Sequence, residues 1–135
     1  MRYLISLFVM LIGVSCTSQP IPTAEQQILA ALDTYHTAER EGNLETILDS
    51  YSEEFEDAQG TGKAVLAGFF SVLVDQGVLK DHVIDMESMV ISVENDYATV
   101  GPVSYTSLLG SNTYRYRLQQ EEDAIWRFIS SEELN

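Results

Sequence analysis

Apolar residues recur at helical spacing in the first half of this chain and at strand spacing from about residue 82 onward. Ile28, Ala31, Leu32, Tyr35 and Ala38 form one stripe of an amphipathic helix. Thr23 suits its N-cap, with Glu25 and Gln26 in the first turn, and Gly42 suits its C-cap. Asn43 is placed to cap a second helix whose stripe is Leu44, Ile47, Leu48 and Tyr51. Residues 52–60 are acidic, with Phe55 as the lone inward candidate, and read as a turn that becomes a short edge strand. A third helix is expected from Thr61 or Gly62 to Gly77. Its face of Val65, Leu66, Phe69, Phe70, Leu73 and Val74 is broad enough to be largely buried.

Residues 82–94 then alternate as one strand, turning at Asn95-Asp96. Residues 97–109 form a second, in which Pro102 predicts a bulge or an edge. A turn at Gly110-Ser111-Asn112 leads to a third strand over 113–120, and a fourth follows over 124–131. Setting Leu118 opposite Trp126 and Tyr116 opposite Phe128 gives the last hairpin an aromatic face. On the other face the same register sets Arg117 opposite Arg127, with Arg115 two places along. Three helices followed by an antiparallel meander predict an α+β domain, a curved sheet of four to six strands packed on the helices.

The first residues change the picture of where the domain sits. Residues 1–15 carry Arg2, an apolar run over 4–14 and then small residues before Cys16. A bilayer span needs about 20 apolar residues, so this shorter run behind a basic start reads as a secretory signal. Ile12-Gly13-Val14-Ser15-Cys16 resembles the lipobox of bacterial lipoproteins, in which the cysteine becomes the acylated N-terminus; Gly13 departs from the usual leucine. Residues 16–23 then serve as lipidated cysteine and tether, with Pro20 and Pro22 stiffening the link, and 24–135 are the domain. The resemblance implies a cell-envelope protein that meets the membrane through this lipid only. Thr17 after the cysteine implies the outer membrane, on its periplasmic side, in a Gram-negative host.

The chain has 7 basic and 21 acidic residues among 135, a formal net charge of −14. Such a surface repels phosphate backbones, which excludes nucleic acid as a partner. One cysteine allows neither an internal disulfide nor a cysteine metal cluster, and two separated histidines do not make a metal site. No cofactor and no metal are expected.

The helix-one stripe, Gly42-Asn43-Leu44-Glu45 at the corner, Leu48 with Tyr51, the FEDAQG run over 55–60 and Trp126-Arg127-Phe128 together resemble the nuclear transport factor 2-like superfamily. Its polyketide-cyclase-like and ketosteroid-isomerase-like branches are the nearest in pattern, over residues 24–133 or so. The resemblance implies a cone enclosing an apolar pocket and a homodimer through the sheet. Tyr35, seven residues before Gly42, resembles the tyrosine with which ketosteroid isomerases stabilise an oxyanion. The position of their aspartate base falls on Gln59, which cannot abstract a proton, and residues 117–119 offer no second acid.

Catalytic candidates are therefore Tyr35, Asp57 in its acidic run with Glu53, Glu54 and Glu56, and His82 near the expected pocket mouth. Tyr35 and the acidic run have plainer readings, as a core tyrosine and a solvated edge. His36 is expected to point to the rim or to solvent. Arg115, Arg117 and Arg127, with Tyr35, are the ligand-binding candidates, since clustered guanidinium groups call for a neutralising anion. Glu121, Glu132 or Glu133 would neutralise them equally well. The leading functional reading is a lipid-anchored, non-catalytic domain that binds a small ligand or forms a dimer. The alternatives are a small cyclase, isomerase or dehydratase using Tyr35 with a nearby Asp or His, and an interaction module whose pocket is plugged.

Overall fold

The computed structural model describes Cys16 and residues 18–135; the expected signal segment at 1–15 lies outside the described residues. Helix α1 spans Ala24–Glu41. The Thr23 hydroxyl accepts from the Gln26 amide at 3.2 Å while the Gln26 side chain accepts from the Thr23 amide at 2.9 Å, a reciprocal cap. Gly42 closes the helix at φ 66°, where a glycine avoids the Cβ clash, and the Asn43 amide donates back to the Ala38 carbonyl at 2.9 Å. The Asn43 side chain then accepts from the Thr46 amide at 3.1 Å and starts α2, Leu44–Asp49. Helix α3 spans Lys63–Asp75.

Five strands follow: β1 Val83–Asp85, β2 Val90–Glu94, β3 Tyr97–Ser107, β4 Gly110–Gln120 and β5 Trp126–Glu133. All pair antiparallel, in the order β1-β3-β4-β5, with β2 beside the first half of β3 and β1 beside its second half. The single strand expected over 82–94 is thus two. The β3–β4 register shifts between Val100 and Val103, where Gly101 and Pro102 intervene. Pro102 has no ladder N–H to offer, and the partner chain breaks opposite it, turning through residues 86–89. A side chain at Gly101 would sit 3.0 Å from the Arg115 Cα, so the close approach of β4 needs a glycine there.

Two turns also differ from expectation. The β3–β4 loop is Leu108-Leu109, and Gly110, Ser111 and Asn112 are already strand, paired with Ser107, Thr106 and Tyr105. In the β4–β5 hairpin Leu118 faces Phe128 and Gln120 faces Trp126, two places from the expected register. Ala124 takes up a positive φ of 63° in that turn, so the tip is longer than the alternation alone suggests. A two-residue shift preserves the faces, so Leu118, Trp126 and Phe128 all remain buried. Residues 50–58 run beside the free edge of β5: the Ser52 amide donates to the Phe128 carbonyl at 2.9 Å and the Ala58 amide to Ser131 at 3.1 Å. They cover that edge without forming a regular strand.

The core is made by Ile28, Leu32 and Tyr35 of α1, Ile47 of α2, and Val100, Val103, Tyr116, Leu118, Trp126 and Phe128 of the sheet. Gln27 ties helix to sheet by accepting from both the Trp126 indole N–H and the Gln120 side chain at 3.1 Å. The third helix departs most from expectation. It packs on α2 and not on the sheet, and only its Phe70 and Leu73 are buried, while Val65 and Phe69 remain more than half exposed. Held off the sheet, α3 roofs a space that its side chains do not fill.

Candidate functional site

That space is a cavity of about 420 Å³ between α1, α3 and the inner faces of β3 and β4. Val65, Phe69 and Leu109 stand at its mouth, since they line it and are exposed. Its inner walls are Phe55, Phe70 and Leu73 with the aromatic rings of Tyr51, Tyr105 and Tyr116.

Its buried end is polar. Tyr35 and Glu39 lie one helical turn apart on the same face of α1, so both point to the same place. The Tyr35 hydroxyl bonds to that of Tyr51 at 2.9 Å. The Tyr116 hydroxyl donates to that of Tyr105 at 3.1 Å, which in turn meets His36 Nε2 at 3.0 Å. Against these paired groups, Glu39 Oε2 and His82 Nε2 stand 3.4 Å apart, both in side chains at least 95% buried, and neither has a partner in hydrogen-bonding geometry. The separation is within ion-pair reach, but burial works against both charges.

Desolvation pushes the Glu39 carboxyl up to about 7, against the opposing pull of the Tyr35 hydroxyl and the Arg40 charge. Burial, helped by Arg40, pushes His82 down. Near neutral pH the pair is thus an imidazole without charge facing a carboxyl that is partly protonated. His36 is pushed down to about 4, by burial first and by Arg40 and His82 next. Tyr35 is pushed well above the usual phenol range, by burial and then by Tyr51, so it is an O–H donor and not a base.

The sequence candidates divide accordingly. Tyr35 and His82 meet in the cavity, Tyr35 directly on its wall and His82 beside Glu39. Asp57 lies nearer the mouth, but its carboxylate is spent on a turn, accepting from the Gln59 amide at 2.9 Å and the Thr61 amide at 2.7 Å. Partial burial acts to raise it, yet those amides hold it below the ordinary aspartate value. Of its acidic neighbours, Glu53 pairs with Lys63 and Glu54 and Glu56 face solvent. His36, expected at the rim, is buried because the space between α1 and β3 leaves it against Tyr105.

The arginines do not reach the cavity. Strand alternation turns Arg115 and Arg117 to the outer face while Tyr114 and Tyr116 turn inward. Arg115 pairs with Glu132 at 3.2 Å, and Arg117 lies over the Tyr97 ring at 4.8 Å. Arg127 reaches α2, donating to the Asp49 carbonyl at 2.8 Å, and bonds Asp123 at 2.8 Å. Because the register is two places from that expected, Arg127 faces Gln119 and never opposes Arg117. The expected ligand-binding trio of Arg115, Arg117 and Arg127 is therefore replaced by carboxylate pairs and a cation–π contact.

Glu39 is the residue that sequence reasoning missed. A signal existed: Ile28, Leu32, Tyr35 and Glu39 fall on one stripe, with a carboxylate where a fourth apolar residue would belong. Among the described residues no cluster of three or more potential ligands is placed to hold a metal ion. No helix among them is long and apolar enough to cross a membrane.

No family model matches the chain, and no curated protein matches it. Solved structures do. A nuclear transport factor 2-like protein of unknown function from Shewanella oneidensis is similar at a TM-score of 0.66 and 13% identity, over 84% of this chain and 100% of that one. A nuclear transport factor 2-like protein from Cytophaga hutchinsonii is similar at 0.64 and 15% identity, over 83% and 98%. Bdellovibrio bacteriovorus Bd1075 is similar at 0.67 and 15% identity, over 81% of this chain; the chain spans only 40% of that protein's length. This chain has the nuclear transport factor 2-like fold: three helices on a curved antiparallel sheet, as the resemblance implied. At these identities the likeness extends to fold alone, and residue roles must be argued from this chain's own geometry.

Proposed function

We propose that this domain binds a small, largely apolar molecule inside the cone, and that Cys16 tethers it to a membrane of the cell envelope through a lipid. One observation carries the binding reading: a cavity of about 420 Å³ whose buried end holds two unpartnered polar atoms, Glu39 Oε2 and His82 Nε2. Ligand sites run from roughly 300 to 1,000 Å³, and buried polar atoms are ordinarily bonded, so a guest that supplies the missing partners satisfies both facts. A plugged interaction module lacks such a space. The tether reading is supported by Cys16, exposed and unpaired, ahead of a proline-containing link to the capped start of α1.

A second reading has its own observation. A buried carboxyl with its pKa near 7 beside an imidazole is the equipment of general acid–base chemistry, and Tyr35 adds an O–H donor. Such an enzyme would use Glu39 and His82 rather than Asp57. We favour binding because the Glu39–His82 pair serves recognition without further parts.

The test is native mass spectrometry of the purified domain beside Leu66→Trp, which places an indole in the cavity. The reading expects co-purified mass on the natural protein and its loss from the variant at unchanged circular dichroism. Equal bound mass on both would contradict it. For the tether, Cys16→Ser should abolish labelling by a radioactive fatty acid, and undiminished labelling would end that part.

A further inference from the structure

We propose that the ligand is an organic cation, a primary or secondary amine with an apolar body, whose ammonium group docks from the cavity against Glu39 and His82. The proposal rests on the ligand-binding reading above and names the chemical class of the guest.

Four features of the cavity converge on this class. The two orphaned atoms are both suited to accept: a carboxylate oxygen and an imidazole nitrogen, 3.4 Å apart. A tetrahedral ammonium that donates one N–H to each at about 2.9 Å holds its acceptors about 4.7 Å apart, so the two side chains part by about 1 Å as it docks. The phenols around them bond to one another or to His36, and Tyr35 also pulls on the Glu39 carboxyl.

Much of the wall is aromatic. Tyr35, Tyr51, Phe55, Phe70, Tyr105 and Tyr116 all line the cavity, and aromatic faces attract cations more strongly once water is excluded. The charge of the lining has one sign. Among the described residues no lysine or arginine lines the cavity, though the Arg40 charge reaches its buried end from outside the lining, while Glu39 and Asp57 line it. Asp57 stands toward the mouth, held ionised by its turn amides, in a protein of net charge −14. An anionic guest would be repelled at the entrance and left without a counter-charge inside, whereas a cation is drawn in and neutralised. The neutral imidazole of His82 accepts from the ammonium without opposing it.

Docking an ammonium on Glu39 favours its carboxylate form. Binding therefore displaces the carboxyl proton whenever Glu39 is protonated in the empty site, and the proton leaves to solvent.

The experiment uses three probes that share a phenylethyl body: 2-phenylethylamine, 2-phenylethanol and 3-phenylpropanoate. Calorimetry at pH 7 in two buffers of different ionisation enthalpy measures affinity and the protons released. The proposal expects the amine to bind at least ten-fold more tightly than the alcohol, no measurable binding of the carboxylate, and a net proton release for the amine alone. Glu39→Gln should cost the amine at least ten-fold and leave the alcohol within about two-fold. Binding of alcohol and amine with equal affinity would overturn the amine assignment while leaving the ligand-binding reading intact. Binding of none of the three would count against both. Should Glu39→Gln fold poorly, the ranking of the amine over the alcohol on the natural protein decides alone, and equal affinity overturns the proposal.

Discussion

One helix serves two ends of this molecule in opposite ways. Ile28 and Leu32, in the first half of α1, sit in a solid core with Ile47, Leu118, Trp126 and Phe128. Tyr35 and Glu39, one and two turns further along the same stripe, border empty space and hydrogen-bond acceptors without donors. The difference comes from what faces each half. The first half packs wholly into the core, while Tyr35, its ring still against Phe128 of β5, and Glu39 border the cavity beneath α3, which rests on α2. Close packing supplies stability at one end, and its absence makes room for a guest at the other.

The comparison breaks most visibly under leucine truncation. Leu118→Ala, at the solid end, should cost about 3 kcal/mol in urea denaturation, within the usual range for a buried leucine. Leu66→Ala, on the cavity wall, should cost about 1 kcal/mol, because the side chain it removes already lacks neighbours on one side. Equal losses would mean that the cavity is closed in solution.

A pH series sharpens the contrast next. Folding raises the Glu39 pKa from 4.5 to about 7, so the folded state holds the proton more tightly, and stability is lost as pH rises across that window. The loss approaches about 3 kcal/mol above pH 7. Glu39→Gln should gain on the natural protein progressively from pH 4.5 to 7 and then hold its advantage; a constant difference would remove the buried acid. His36 acts with the other sign. Its pKa falls from 6.5 to about 4 on folding, so its contribution to stability is complete above 6.5 and is lost as pH drops towards 4. The two slopes oppose one another between 4.5 and 6.5, and Glu39→Gln should uncover the histidine slope there.

The outer arginines give the smallest effects. Arg127→Ala should cost about 1–2 kcal/mol, since its largely buried guanidinium holds the β4–β5 turn to α2. Arg115→Ala, in an exposed pair, should change stability by less than about 0.5 kcal/mol. Neither should alter ligand binding, and a loss of affinity in Arg127→Ala would restore a place for that arginine in recognition.

The solid end was also the more legible in sequence. Thr23, Gly42 and Asn43 announce the helix ends because capping is local chemistry, and the α1 stripe and the Trp126–Phe128 alternation announce the buried faces. Register was less legible. Alternation has a period of two, so a pairing two places away near the turn predicts the same faces, and it does not signal the further shift between Arg117 and Leu118. Pro102 signalled the β3 bulge but not the break it imposes between β1 and β2. The open end was hardest, because an acidic chain offers many carboxylates and nothing in composition distinguishes Glu39 from its solvated neighbours. A stripe that turns from leucine to tyrosine to glutamate marks where packing ends. The exposed apolar face of α3 was unreadable for a related reason, since periodicity gives an apolar face without saying whether anything lies beneath it.

The most direct test of a cavity with a buried acid at its end is the titration of Glu39 itself, followed by the carboxyl ¹³C resonance of the natural domain between pH 3 and 9. The account predicts a midpoint near 7 for this one glutamate. A midpoint near the ordinary value of about 4.3 would place Glu39 in water and contradict it.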